Sequence, residues 1–222
     1  QYPDRPLSLY VHIPFCHKLC YYCGCNKVIT RHSHKADEYL DVLEHEIRQR
    51  AALLVGRTVT QLHFGGGTPT FLSEKQITRV MSLLRQEFTF SSDAEISIEV
   101  DPREIQITML DHLRSEGFNR LSIGVQDFNK EVQKLVNREQ DEEFIFAMVA
   151  RAKELGLKRL FCLTFETKFF ASHGFKEITG TPVEPEVYQE LLLSYDEGIA
   201  EFLDLESVKP NTLGNTRMLL HL

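Results

Sequence analysis

At 222 residues, 42% of them hydrophobic, the chain is long enough to bury one core or two small ones. Its 32 acidic side chains against 25 basic ones leave a net charge of -7, which argues against nucleic acid or an anionic membrane as a partner. No apolar run approaches the roughly 20 residues of a spanning helix and no signal peptide opens the chain. A cytoplasmic location is therefore expected, and a start at Gln1 suits a piece of a longer protein.

Leu7 to Ile13 is an apolar run that predicts a strand, and directly after it Cys16, Cys20 and Cys23 stand at C-x3-C-x2-C spacing, with Cys25 just beyond. Thiolates gathered on one short loop suit a metal or an iron-sulfur cluster better than a disulfide framework. One alternative is a zinc knuckle with Cys25 as the fourth ligand, although a structural zinc site usually brings a matched second half. A four-iron cluster on three thiolates would instead keep one iron open, as a catalytic zinc site keeps an open position.

Helical spacing of Tyr39, Leu40, Leu43 and Ile47 predicts a helix over Asp37 to Leu54, followed by a strand from Thr58 to Phe64. That strand runs into Gly65-Gly66-Gly67-Thr68-Pro69-Thr70, where backbone N–H groups can approach a ligand ahead of a helix. A helix over Ser73 to Glu87, a strand over Ala94 to Val100, a helix over Glu104 to Glu116 and a strand over Asn119 to Val125 follow. Helices over Val132 to Val136 and Glu142 to Leu155 close this part. The alternation implies α/β architecture with parallel βα units, and Asp101-Pro102 and Gln126-Asp127 mark strand ends where a βα barrel keeps its chemistry. Cys162, alone in an apolar run, is expected to be a buried small hydrophobe.

The cysteine loop, with an aromatic residue before its third cysteine, resembles the radical SAM signature. Tyr-Val-His-Ile-Pro-Phe-Cys at 10 to 16 and Cys-Gly-Cys at 23 to 25 further resemble the oxygen-independent coproporphyrinogen III oxidase family. The resemblance implies a partial (βα) barrel, a 4Fe-4S cluster on Cys16, Cys20 and Cys23, and S-adenosylmethionine on the open iron. It implies that Tyr10, Glu99, Gln126 and Arg138 hold that molecule, with Arg138 pairing its carboxylate and the Gly66 segment meeting its amino group. Tyr22, Gly67 and Thr68 fall near a second S-adenosylmethionine, with Gly24 and Cys25 beside the site but outside the cluster. Tyr22 stands where a phenylalanine is common. The implied reaction is radical-driven oxidative decarboxylation of propionate to vinyl in porphyrin (haem) biosynthesis. Its implied partners are a porphyrinogen substrate and an electron donor such as flavodoxin or ferredoxin.

That match ends near Gly156, before the further βα units and C-terminal domain the family requires, so the truncated barrel is expected to be impaired. Residues 157 to 222, with Phe169-Phe170-x3-Gly174-Phe175, resemble instead the C-terminal part of GNAT-type amino-acid (glutamate) N-acetyltransferases. A chimera is expected, with a radical SAM domain over 1 to 156 and a GNAT-like segment over 157 to 222. An acetyltransferase using acetyl-CoA is the alternative function, weakened by the missing pyrophosphate-binding segment, and a non-catalytic haem-binding module is a third. A barrel cut here exposes an apolar edge, which Leu160 to Phe165 is expected to patch as a fifth parallel strand beside Leu121 to Val125.

Overall fold

The structure, a computed structural model, describes residues 5–164, 167–178 and 216–222. Strand β1 spans Leu7–Ile13, followed by the short strands β2, Phe15–Cys16, and β3, Val28–Ile29. Helix α1 is His34–Leu53, β4 is Thr58–Gly66, α2 is Glu74–Glu87 and β5 is Thr89–Val100. Then come α3, Thr108–Ser115; β6, Arg120–Ile123; α4, Lys130–Leu135; and α5, Glu142–Glu154. The described remainder comprises β7, Arg159–Thr164; α6, Thr167–Ser172; β8, Lys176–Glu177; and β9, Thr216–His221.

Seven strands form one sheet in the order β1-β4-β5-β6-β7-β9-β8, and the pairs from β1 through β7 are all parallel. This is the expected parallel βα architecture, and β7 does join β6 as a fifth parallel strand. Strand β9 then pairs antiparallel with β7 and covers its outer edge. Described residues on both sides of position 156 therefore share one sheet.

One face of the sheet is apolar because every second strand residue is. Val11, Leu62, Phe64, Ile98, Leu121 and Leu160 are buried there with Leu40 of α1, Leu84 of α2, Leu113 of α3 and Met148 of α5. Fully burying each such side chain contributes on the order of 1.5–3 kcal/mol. The opposite face is polar, because strand residues alternate sides. Register places Tyr10, His63, Ser97, Arg120 and Arg159 in one row across five strands. In the next row, toward the strand ends, Glu99 stands opposite Ser122, and Ser122 opposite Phe161.

Two boundaries differ from the sequence expectation by four residues or more. Helix α3 begins at Thr108 and not at Glu104, because Asp101 folds the intervening segment into a turn, accepting from Arg103 N–H at 3.0 Å while its own carbonyl takes Glu104 N–H at 3.2 Å. Strand β5 starts at Thr89, five residues early, because Thr89 and Phe90 extend the pairing with Thr58 and Val59 past an irregularity in β4. Among the described residues no helix is long and apolar enough to cross a membrane.

Candidate metal and cofactor centre

The cysteine loop is clamped at its base. Phe15 and Cys16 pair in parallel with Val28 and Ile29, and Val28 N–H donates to Pro14 O at 2.7 Å while Thr30 N–H donates to Cys16 O at 2.9 Å. Inside the loop, Cys23 N–H returns to Cys20 O at 3.1 Å, and the Lys27 ammonium donates to the carbonyls of Cys23 (2.9 Å) and Cys25 (3.1 Å). These bonds turn four cysteines toward the end of the parallel sheet. All of them are free thiols.

The loop and the strand ends border a cleft that is open to solvent. Cys16, Cys20 and Cys23 line it, together with Tyr22, Gly24, Cys25, Gly66, Gly67, Thr68, Glu99, Gln126 and Arg138. Twelve of the thirteen side chains or glycines singled out from the sequence thus meet in one place. Tyr10 is the exception: its ring stacks on His63 at 5.9 Å between centroids and its hydroxyl lies 3.3 Å from His12 Nδ1, one layer behind the lining. It touches the site through His63.

Glycine is required at the turn after β4. Gly66 has φ of 110°, in the region that disfavours side chains, and a Cβ on Gly67 would fall 2.7 Å from Pro14 O. Gly66 N–H points at Glu99 Oε2, 3.2 Å away, and Glu99 Oε1 lies 3.5 Å from His63 Nε2. Gln126 also has positive φ, 63°, a strained backbone for a residue with a side chain and one often met at ligand sites.

Arg138 is almost wholly buried and donates to Gly124 O from Nε (3.1 Å) and Nη2 (2.6 Å), so its fork is engaged by a backbone carbonyl at the cleft wall. Its Nη1 reaches Cys20 Sγ at 3.2 Å and Asp101 Oδ2 at 3.2 Å. Arg103 and His63, both lining the cleft, are not singled out from the sequence, and Asp101 is named there only as a strand end on the expected catalytic face. Nothing local marks Arg103; a signal was available for Asp101, which stands at a strand end.

Electrostatics differ among the thiols. The Cys25 thiol hydrogen bond, aided by Lys27 and opposed by burial, holds Cys23 down to about 6. Burial pushes Cys16 up, opposed by the Thr68 hydroxyl 3.4 Å from its sulfur, and the neighbouring thiols add to the rise. Burial likewise pushes Tyr22 up against the pull of Arg138. Asp101 is held below the usual carboxylate range: burial works against its charge, but Arg103 and Arg138 outweigh it. Cys162 is buried as expected and pushed by that burial up to about 12, although it also borders the cleft.

Among the described residues no three His, Cys, Asp or Glu side chains converge as they would on a single metal ion. In an iron-sulfur cluster each thiolate binds a different iron, so the three sulfurs need not meet at one point. Three free thiols on a clamped loop, facing a cleft with buried cations, fit such a group.

The sequence model of the radical SAM superfamily matches residues 10–170. The oxygen-independent coproporphyrinogen III oxidase of Escherichia coli K12 is 72% identical over 156 residues, which are 70% of this chain and 34% of that protein. The chain thus spans about a third of the length of the curated relatives it matches. The solved E. coli coproporphyrinogen III oxidase, described as a radical SAM enzyme, superposes with a TM-score of 0.70 at 57% identity, covering 78% of this chain and 48% of its own. A Mycobacterium tuberculosis protein, Rv2747, solved in complex with CoA and NLQ, is 59% identical over 36% of this chain and 48% of its own, but its TM-score of 0.31 carries no argument for a shared fold. The acetyltransferase reading of 157 to 222 gains no support from it, and most of that segment lies outside the described residues.

Proposed function

The chain belongs to the radical SAM superfamily, and on that premise we propose that it carries the cofactor-binding part of an oxygen-independent coproporphyrinogen III oxidase. The observation that carries this reading is the convergence of Cys16, Cys20 and Cys23 with Glu99, Gln126, Arg138 and the Gly66-Gly67-Thr68 turn on one cleft. Cys16, Cys20 and Cys23 hold a 4Fe-4S cluster, and Cys25 stays outside it as the partner of Cys23. When bound, the cluster and S-adenosylmethionine would supply the one-electron chemistry needed to take hydrogen from the β-carbon of a propionate.

The protein's own share is binding, orientation and exclusion of water. Glu99, 43% exposed on its side chain, offers lone pairs to an ammonium group beside the Gly66-Gly67-Thr68 turn. Arg138 offers a planar cation to a carboxylate, for which it exchanges bonds now made to Gly124 O. Gln126 and Tyr10 complete that pocket, Tyr10 through His63. Tyr22, Gly67 and Thr68, which line the same cleft, would lie beside a second S-adenosylmethionine. A porphyrinogen propionate losing one hydrogen atom and CO2 also releases one electron, so the reaction needs an acceptor, and an electron donor such as flavodoxin or ferredoxin would serve the cluster. The division into a cofactor domain over 1 to 156 and a second segment over 157 to 222 belongs to the same proposal.

Anaerobic iron and sulfide reconstitution tests it. An electron paramagnetic resonance signal that changes when S-adenosylmethionine is added supports the reading. Failure to take up iron with all three cysteines intact rejects it.

A further inference from the structure

We propose that Arg103 is a positioning residue for the Cys20 sulfur and raises the reduction potential of the cluster bound through it; this rests on the proposed function. Arg103 Nη2 lies 3.3 Å from Cys20 Sγ. The contact is held from three sides. Asp101 takes Arg103 Nε at 2.9 Å on Oδ1 and Nη2 at 2.5 Å on Oδ2, while Asn137 O takes Nη1 at 3.1 Å. With both Arg103 and Asp101 only 7% exposed on their side chains, the guanidinium has no room to swing away into solvent.

Among the three, Cys20 meets two guanidiniums, whereas Cys23 has the single Lys27 ammonium beside it. Arg138 supplies a second charged N–H to the same sulfur at 3.2 Å, whereas Cys16 receives the neutral hydroxyl of Thr68 at 3.4 Å. Two guanidiniums against the single carboxylate of Asp101 leave one positive charge uncompensated beside a buried sulfur. That imbalance favours the anionic sulfur of a ligated thiolate. An N–H donated to a ligating sulfur withdraws electron density from the iron, and a nearby cation stabilises the added electron; both make reduction easier. Cys20 is thereby the ligand through which the protein biases the cluster.

The contact is tested first in the full-length, cluster-free chain by a double-mutant cycle on denaturant unfolding with Arg103→Met and Cys20→Ala. The Arg103→Met loss is expected to shrink in the Cys20→Ala background; strict additivity overturns the contact. Next, potentiometric titration of the reconstituted protein, followed by paramagnetic resonance, is expected to give a more negative midpoint for Arg103→Met at unchanged iron and sulfide content. Arg103→Lys, which keeps the cation but loses the fork, falls between that variant and the parent. An unchanged midpoint in a fully loaded Arg103→Met protein overturns the proposal, as does failure of both variants to load when the parent loads, which would make Arg103 a purely structural residue. If the parent itself takes up no cluster, the proposed function fails and the double-mutant cycle alone decides the contact.

Discussion

Gly67 lies so close under Pro14 that a Cβ added to it would stand 2.7 Å from the Pro14 carbonyl oxygen and 2.8 Å from that of Phe15, while its N–H donates to Ile13 O at 2.8 Å. The turn after β4 and the base of the cysteine loop are thus packed backbone on backbone. Neither can yield by rotating a side chain. Gly67→Ala is expected to cost about 1–3 kcal/mol and to lower iron uptake, as measured by denaturant unfolding and by iron assay after reconstitution. Parent-like values for both would mean the loop tolerates a shift the structure does not offer.

On the polar face of the sheet, Glu95 binds both Arg120, at 3.2 Å, and Arg159. Arg120 is 5% exposed on its side chain, and removing Glu95 takes away the carboxylate that chiefly offsets its buried charge, leaving Ser97 Oγ at 3.3 Å from Nη2. Glu95→Ala is expected to destabilise the chain by about 3 kcal/mol or more. Glu95→Gln, which keeps the size and loses the charge, recovers part of that. Equilibrium unfolding in urea measures both.

Glu116 predicts a pH dependence away from the cleft. Burial raises its carboxyl, but a 2.6 Å hydrogen bond from Thr78 and the Arg85 guanidinium at 2.9 Å win and hold it below the ordinary value. A lowered folded value stabilises the chain above the unfolded pKa of about 4.3, and that stability disappears as pH falls through the folded value. The gap in unfolding free energy between parent and Glu116→Gln is therefore expected to be constant near neutrality and to close on acidification below pH 4. A gap independent of pH down to 3 would contradict the assignment.

Thiol chemistry in the cluster-free chain separates the cysteines. Cys23, near 6, is largely thiolate at pH 7, whereas Cys162, near 12 and buried, is not. Iodoacetamide at pH 7 is expected to alkylate Cys23 early and Cys162 only after denaturant is added, as read by peptide mass spectrometry.

Much of this is legible in the amino-acid sequence. The alternation of Val11, Leu62, Phe64 and Ile98 with polar neighbours announces strands with one apolar face, and the spacing of Cys16, Cys20 and Cys23 announces a ligand loop. Arg103 was not legible: it stands 83 residues from the sulfur it touches and carries no motif. His63 was missed for a related reason, since only strand register sets it between Tyr10 and Ser97. Strand β9 was hidden as well, because its pairing with β7 depends on an edge that exists only once the parallel strands have assembled.

The order in which the sheet is filled has a consequence for synthesis. β9 lies between β7 and β8, so the outer margin of β7 stays unpaired until the ribosome has released His221. At translation speeds of roughly 5–20 residues per second, the nascent chain waits on the order of 3–10 seconds between finishing Thr164 and finishing His221. During that interval a half-built sheet offers a bare hydrogen-bonding margin to any neighbouring chain. Slower translation or crowded polysomes should thus favour pairing between chains, and a chaperone that shelters this margin should matter most in those seconds.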